Sequence, residues 1–239
     1  MAVVVGVHPV LEALRAGRPI EQVLIARGAS GARLREIIER CRSASVPLRF
    51  EPRQLLDRMA GEAPHQGVVA VAAAHRYAAL EDLIPGAQLL VALDGVQDPH
   101  NLGALIRTAH AAGAGGVIVP ERRSAGLSPA VVKASAGALE YLPVARVVNL
   151  SRALDRLKEA GYWIYGLDER GEHTYDRLAY DSRAVFVLGG EGHGLHEHVR
   201  KRCDFLVRIP TAGAIGSLNV SVAAGIALFE WRRQHSESA

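Results

Sequence analysis

From residue 88 onward, apolar runs of strand length alternate with stretches of helical period, and that alternation admits few folds. Gln88–Leu93 reads QLLVAL, continuous rather than alternating, as expected of a strand covered on both faces inside a parallel sheet. A helix at 99–112, a strand at 116–119, a helix from Ser128 to about 138 and a strand at 143–147 follow. Next come a helix at 151–160, strands at 162–167 and 184–189, a helix at 195–202, a strand at 204–208 and a last helix from 218. Parallel strands need crossover connections, and helices of this length supply them. The expectation is an α/β domain over residues 87–239.

Residues 1–75 repeat the alternation on a smaller scale. VVVGV at 3–7, Gln22–Ala26, Leu48–Phe50 and VVAVAAA at 68–74 read as strands. Between them, His8-Pro9 opens a helix ending near Gly17, Ala32–Cys41 puts Leu34, Ile37, Ile38 and Cys41 on one face, and Pro52–Met59 forms a third helix. This predicts a small separate α/β domain. Residues 76–86, of mixed polarity and closing on Pro85-Gly86, read as the linker.

Composition enters at this point. The chain carries 28 Lys and Arg, of which only Lys133, Lys158 and Lys201 are lysine, leaving 25 Arg. Residues 1–75 hold ten of those Arg, no Lys and seven acids, a balance compatible with binding RNA phosphates and equally with a codon bias toward Arg. No apolar run reaches the roughly 18 residues of a membrane span. The start MAVVVGVHPVLEALRAGRP has no basic segment ahead of its apolar run, so no signal peptide is expected. Cys41 and Cys203 are far apart and fit no metal or redox spacing, which together points to a cytoplasmic protein without a metal site.

Three segments carry candidate chemistry. In DGVQDPHNLGALIRTA (94–109), Asp98 is a good N-cap and Pro99 a good first helical residue, so Asn101 falls in the first turn beyond a strand end, where open α/β sheets bind ligands. Gly103 lies one turn before Arg107 on the same face and leaves room around its stem; Arg107 also suits a surface ion pair. In FVLGGEGHGL (186–195), a buried strand ends in four glycines with Glu191 among them. That loop lacks the GxGxxG pattern of dinucleotide sites, and its carboxylate suits an uncharged or cationic ligand better than a pyrophosphate. His193, His196 and His198 read as solvated residues at a helix start. In IPTAGAIGSLNVSVAAGIALFEW (209–231), a small-residue loop feeds an apolar helix that reads as buried on most sides, with Ser217 placed to cap it. A Gly-rich turn before a core helix would look the same.

Taken together, NLGALIRTA (101–109), FVLGGEGHGL (186–195) and IPTAGAIGSLNVSVAAGIA (209–227) resemble the three ordered motifs of the SpoU (TrmH) family of the SPOUT superfamily. VVKASAGALE (131–140) is similar to an element of the branch that methylates a guanosine of 23S ribosomal RNA, and residues 1–75 to that branch's small RNA-binding domain. The resemblance implies a methyltransferase domain with a C-terminal trefoil knot, acting as a homodimer on RNA with S-adenosyl-L-methionine as co-substrate. It implies cofactor contacts at Leu188, Gly189, Gly190, Gly192, Ile209, Pro210, Ser217 and Leu218. It implies that Asn101, Arg107, Glu191, Ser217 and Asn219 carry catalysis, with Asn101 and Glu191 holding Arg107 or the nucleotide. Transfer RNA or another ribosomal site is the nearest alternative substrate, and a non-catalytic RNA-binding assembly factor the alternative of another class.

Overall fold

The computed structural model describes residues 1–213 and 216–236, so Ala214 and Ile215 of the third motif lie outside the described residues. The chain divides into two compact units, Met1–Arg76 and Tyr77–Ala239.

The first unit contains β1 (Ala2–Val5), α1 (Val7–Arg15), β2 (Ile20–Ala26), α2 (Ala32–Ser43), β3 (Leu48–Glu51), α3 (Arg53–Ala60) and β4 (Val68–Ala72). Its sheet has the order β1-β4-β2-β3, with β4 antiparallel to both neighbours and β2 parallel to β3. The expected first strand stops two residues early. Gly6 adopts φ +104°, which few side chains tolerate, and Val7 already begins the helix. Val23 and Ile25 of β2 point into the core shared with α1 and α2, while Leu24 and Ala26 pack with Leu56 of α3.

The second unit begins with α4 (Leu80–Leu83), whose Leu80 and Leu83 are buried. Much of the segment read as a linker is therefore folded into this unit. There follow β5 (Leu89–Asp94), α5 (Pro99–Ala112), β6 (Gly116–Pro120), α6 (Pro129–Ala134), a 3-10 turn at Ala138–Glu140 and β7 (Val144–Val147). The chain continues through α7 (Leu150–Glu159), β8 (Trp163–Leu167), β9 (His173–Thr174), β10 (Ala184–Gly189), α8 (Glu197–Arg200), β11 (Phe205–Arg208) and α9 (Val220–His235). All seven strands pair in parallel, in the order β7-β6-β5-β10-β8-β11-β9.

The continuous apolar run of β5 now has its physical reason. Leu89, Val91 and Leu93 face a core built with α5, α6 and α9, while Leu90 and Ala92 face one built with α4, α7 and α8. Neither face meets water, so neither needs polar residues. The helix expected to about 138 ends at Ala134, because Ala136 and Gly137 both take positive φ. The short strand β9 had no signature in the sequence.

Helix α9 corrects two expectations. Its N-cap is Asn219 rather than Ser217: Asn219 Oδ1 accepts from the Ser221 backbone N–H at 2.9 Å. Val220, Ala224, Ala227, Leu228 and Trp231 are buried, but Val222 and Phe229 are about half exposed, at 51% and 47%. Within a single chain the helix is thus buried on one side only and carries an apolar strip on the other.

Candidate active site

Because every strand of the large sheet runs the same way, their C-terminal ends share one edge, and there a cavity of about 830 Å³ opens. The strand ends and following loops of β8 and β10 line it, together with the start of α5, Val207, Ile209 and the segment 216–220. The volume lies in the range of sites for molecules of cofactor size.

The loop after β10 is shaped by backbone contact. Gly189 pairs with Asp94 in the sheet, and the Gly190 N–H donates to Asp94 O at 2.7 Å. The chain then turns back on itself, so a Cβ on Gly189 would lie 2.1 Å from Gly194 C, and one on Gly190 would lie 2.2 Å from Gly95 O. Gly192 and Gly194 make the turn with φ +80° and +63°. The Asp94 side chain, almost fully buried, completes the anchor by accepting from the His196 backbone N–H (2.7 Å) and facing His196 Nδ1 (3.0 Å). His196 is therefore tied to a carboxylate rather than simply solvated. Sequence reasoning missed Asp94, whose only signal was a carboxylate at the end of a fully apolar strand.

Opposite this loop, α5 begins as expected. Asp98 caps it by accepting from the His100 N–H at 2.9 Å, and that bond, followed by contacts with Asn101, holds its carboxyl below the usual range. Asn101, buried in the first turn, donates through Nδ2 to Glu191 Oε1 and accepts at Oδ1 from Asn219 Nδ2 at 3.0 Å. Asn219 Oδ1 in turn accepts from the Ser221 hydroxyl at 2.6 Å. One hydrogen-bonded chain thus joins residues from all three motifs, and Asn101 and Glu191 bind each other rather than Arg107.

Arg107 stands apart. It is exposed on α5 and is not among the residues lining the cavity. Gly103 does not make room for it either: a Cβ there would lie 2.4 Å from Ala134 Cβ and 2.8 Å from Val131 O, so this glycine lets α5 and α6 touch. Of the other expected contacts, Leu188, Gly189, Gly190, Gly192, Ile209, Ser217 and Leu218 line the cavity, and Pro210 does not.

The lining also contains residues with no signal in the sequence, chiefly Leu167, Asp168, Glu169, Arg170 and Thr211. Asp168 is buried and accepts from Arg170 Nε and Nη2 at 3.0 and 3.1 Å, and the guanidinium holds its carboxyl below the ordinary aspartate range. Four carboxylates (Asp98, Asp168, Glu169, Glu191) and one guanidinium, Arg170, line the cavity. Such a lining disfavours a pyrophosphate and suits a ligand carrying positive charge.

Comparison with known proteins places this geometry. The SpoU rRNA Methylase family matches residues 88–229, and the family described as RNA 2'-O ribose methyltransferase substrate binding matches residues 3–78. A putative TrmH family tRNA/rRNA methyltransferase of Staphylococcus aureus is 40% identical over 240 residues, covering 98% of this chain and 96% of its own. One from Bacillus subtilis is 39% identical with the same coverage. Among solved structures, the SpoU methyltransferase AviRb of Streptomyces viridochromogenes in complex with the cofactor AdoMet is similar at TM-score 0.83 and 30% identity, covering 97% of this chain and 89% of that one. An AdoMet-bound rRNA methyltransferase of Sinorhizobium meliloti is similar at TM-score 0.84 and 28% identity, covering 98% and 88%.

Proposed function

The chain belongs to the SpoU rRNA Methylase family and is an RNA methyltransferase, and we propose that it methylates a ribose 2′-hydroxyl, with a guanosine of 23S ribosomal RNA as target, in the cytoplasm. S-adenosyl-L-methionine, the ligand of the similar AviRb structure, supplies an electrophilic methyl on a sulfonium. The observation that carries this reading is the cavity itself. Its size suits that molecule, its wall is partly bare backbone at Gly189, Gly190 and Gly192, and its charge is predominantly acidic. Leu188, Ile209 and Leu218 offer apolar surface, while Pro210 contributes through the chain direction it imposes on Ile209 and Thr211.

The hydrogen-bonded chain from Glu191 through Asn101 to Asn219 holds the three motifs in one register, so an in-line displacement can proceed from a fixed arrangement. Ser217, on the exposed wall beside Asn219, orients the ribose. A guanidinium is a poor base, which argues against Arg107 as the proton acceptor. Its role is to grip the neighbouring phosphate in a bidentate contact and stabilise the developing alkoxide.

Exposed and outside its own chain's cavity, Arg107 fits this role in a homodimer. Val222 and Phe229 form the apolar strip such a dimer would cover, and α9 lies against α5, with Gly225 beside Thr108, the residue next to Arg107. The trefoil knot belongs to the same reading, supported by residues 188–194 on the one hand and Ile209, Thr211 and residues 216–220 on the other lining one cavity from different parts of the chain.

The test is transfer of labelled methyl from S-adenosyl-L-methionine to unmodified 23S ribosomal RNA, with transfer RNA in parallel. The site is mapped by resistance to alkaline cleavage, since a methylated 2′-oxygen cannot attack its phosphate. Label at one 23S guanosine is expected. Label on transfer RNA alone would overturn the target, and labelled RNA without an alkali-resistant linkage would overturn the chemistry. Arg107→Ala should lower turnover by roughly 100-fold or more while leaving cofactor binding intact.

A further inference from the structure

The loop between β6 and α6, residues 121–128, leaves the same edge of the sheet as the cavity loops, beside β5. It is firmly anchored. The Ala125 N–H donates to Val96 O at 2.9 Å, Ala125 itself is buried, and the Leu127 N–H donates to the Tyr77 hydroxyl at 3.1 Å. At its base the Glu121 N–H donates to Val147 O at 2.8 Å. On this fixed frame Arg122 and Arg123 are both exposed, and neither side chain makes an ion pair or hydrogen bond among the described residues. Arg123 is held at φ +58°, a backbone region where glycine fits without strain, so a long cationic side chain stands where local geometry favours none.

The surroundings match. Arg146 of β7 is exposed and lies over the Tyr77 ring, 4.5 Å from its centroid, and the neighbouring Val148 is 87% exposed. Glu121 is the acid in the loop itself, and it leaves the three guanidiniums in excess. A protein surface that concentrates unpaired arginine forks on rigid backbone is suited to phosphate oxygens, which accept two parallel N–H bonds.

We propose that Arg122 and Arg123, with Arg146 beside them, form a phosphate-binding strip that holds the RNA strand flanking the target nucleotide on the catalytic unit itself. This rests on the methyltransferase reading, because the strip gains its meaning from the cavity on the same edge. It locates RNA contacts outside the substrate-binding domain matched at residues 3–78. The contacts are to backbone, so they position the strand without selecting its sequence.

The test is binding of the full-length protein to unmodified 23S ribosomal RNA and to transfer RNA across a salt series, comparing wild type with Arg122→Gln/Arg123→Gly. Glycine suits the backbone at 123, so this variant keeps the loop, and unchanged affinity for S-adenosyl-L-methionine checks the fold; Arg122→Gln alone is the fallback. The double variant should bind RNA roughly tenfold or more weakly. Its slope of log affinity against log salt should be shallower by about one for each arginine lost. Arg156→Ala, which removes a charge on α7 paired with Glu81, should change neither by a comparable amount. Wild-type affinity and slope in the double variant would overturn the strip, as would an equal loss in the Arg156 control. Failure of the wild-type protein to bind either RNA would instead overturn the functional reading beneath it.

Discussion

Two glycine-rich segments border the cavity, and they differ in what fills the space around them. At the end of β10, Gly189 and Gly190 have backbone within 2.1 to 2.5 Å of where a Cβ would sit. Beyond β11, Gly213 and Gly216 have nothing among the described residues within 4 Å of that position. The first pair is architectural: the chain passes so close to itself that a methyl group has no place. The second pair leaves open space, and Gly216 lines the cavity wall. Similar composition therefore hides two physical reasons for glycine, close approach of the protein to itself and accessibility to something else.

Gly190→Ala should break the structure most. Its Cβ would meet Gly95 O at 2.2 Å, a backbone atom with no freedom to swing aside. The shift would take with it the Gly190–Asp94 hydrogen bond and the two contacts from Asp94 to His196. Overpacking of this kind costs about 3 kcal/mol or more, and cofactor affinity should fall with it. Thermal unfolding and calorimetric titration would decide, and an alanine variant within about 2 °C of wild type that still binds cofactor would remove Gly190 from the architectural class.

Gly103→Ala comes next and extends the class beyond the loops. Alanine favours a helix interior over glycine by about 1 kcal/mol. Against that gain, the new Cβ would meet Ala134 Cβ at 2.4 Å, Val131 O at 2.8 Å and the backbone N of Ser135, the C-cap of α6, at 3.0 Å. Overpacking should prevail, for a net loss of about 1–2 kcal/mol. Turnover should drop as well, since Asn101 sits half a turn away. A stabilised variant would show that α5 and α6 separate easily.

These positions also mark what was legible in the sequence. The parallel α/β core was, because β5 announces burial on both faces and because Asp98-Pro99 marks where α5 starts. The motif residues that line the cavity were largely legible too. What escaped depends on contacts between distant residues. Asp94 meets His196 across 102 positions, and Gly103 meets Ala134, a partner no helical wheel of α5 could reveal. The cap of α9 went to Asn219 although Ser217 has comparable propensity, because Asn219 also joins Asn101. The exposed strip of α9 is invisible to periodicity, since an apolar face reads alike whether the chain's own core or another surface covers it.

Gly192→Ala should have a smaller, purely local effect. Among the described residues nothing lies within 4 Å of the new methyl, but φ is +80°, and placing an L side chain there costs about 1–2 kcal/mol. Because Glu191 precedes it, the variant also tests whether strain at the tip reaches the Asn101 contact: melting should fall by a few degrees while turnover stays within about threefold. A large loss of turnover would mean that the tip conformation itself sets the position of Glu191.

Gly216→Ala should be the mildest and the most informative. Among the described residues nothing lies within 4 Å of the added methyl, so it meets no neighbour there and removes some freedom from the unfolded chain. Stability should hold or rise by about 0.4–1 kcal/mol. Any loss must then appear on the ligand side, as weaker binding of S-adenosyl-L-methionine or of RNA at unchanged or higher melting temperature. That combination is one the architectural glycines cannot produce, since their ligand affinity should fall only together with stability. If Gly216→Ala lowers both, the open space beside it is filled in solution by the protein's own chain, and the distinction between the two segments collapses into one of degree.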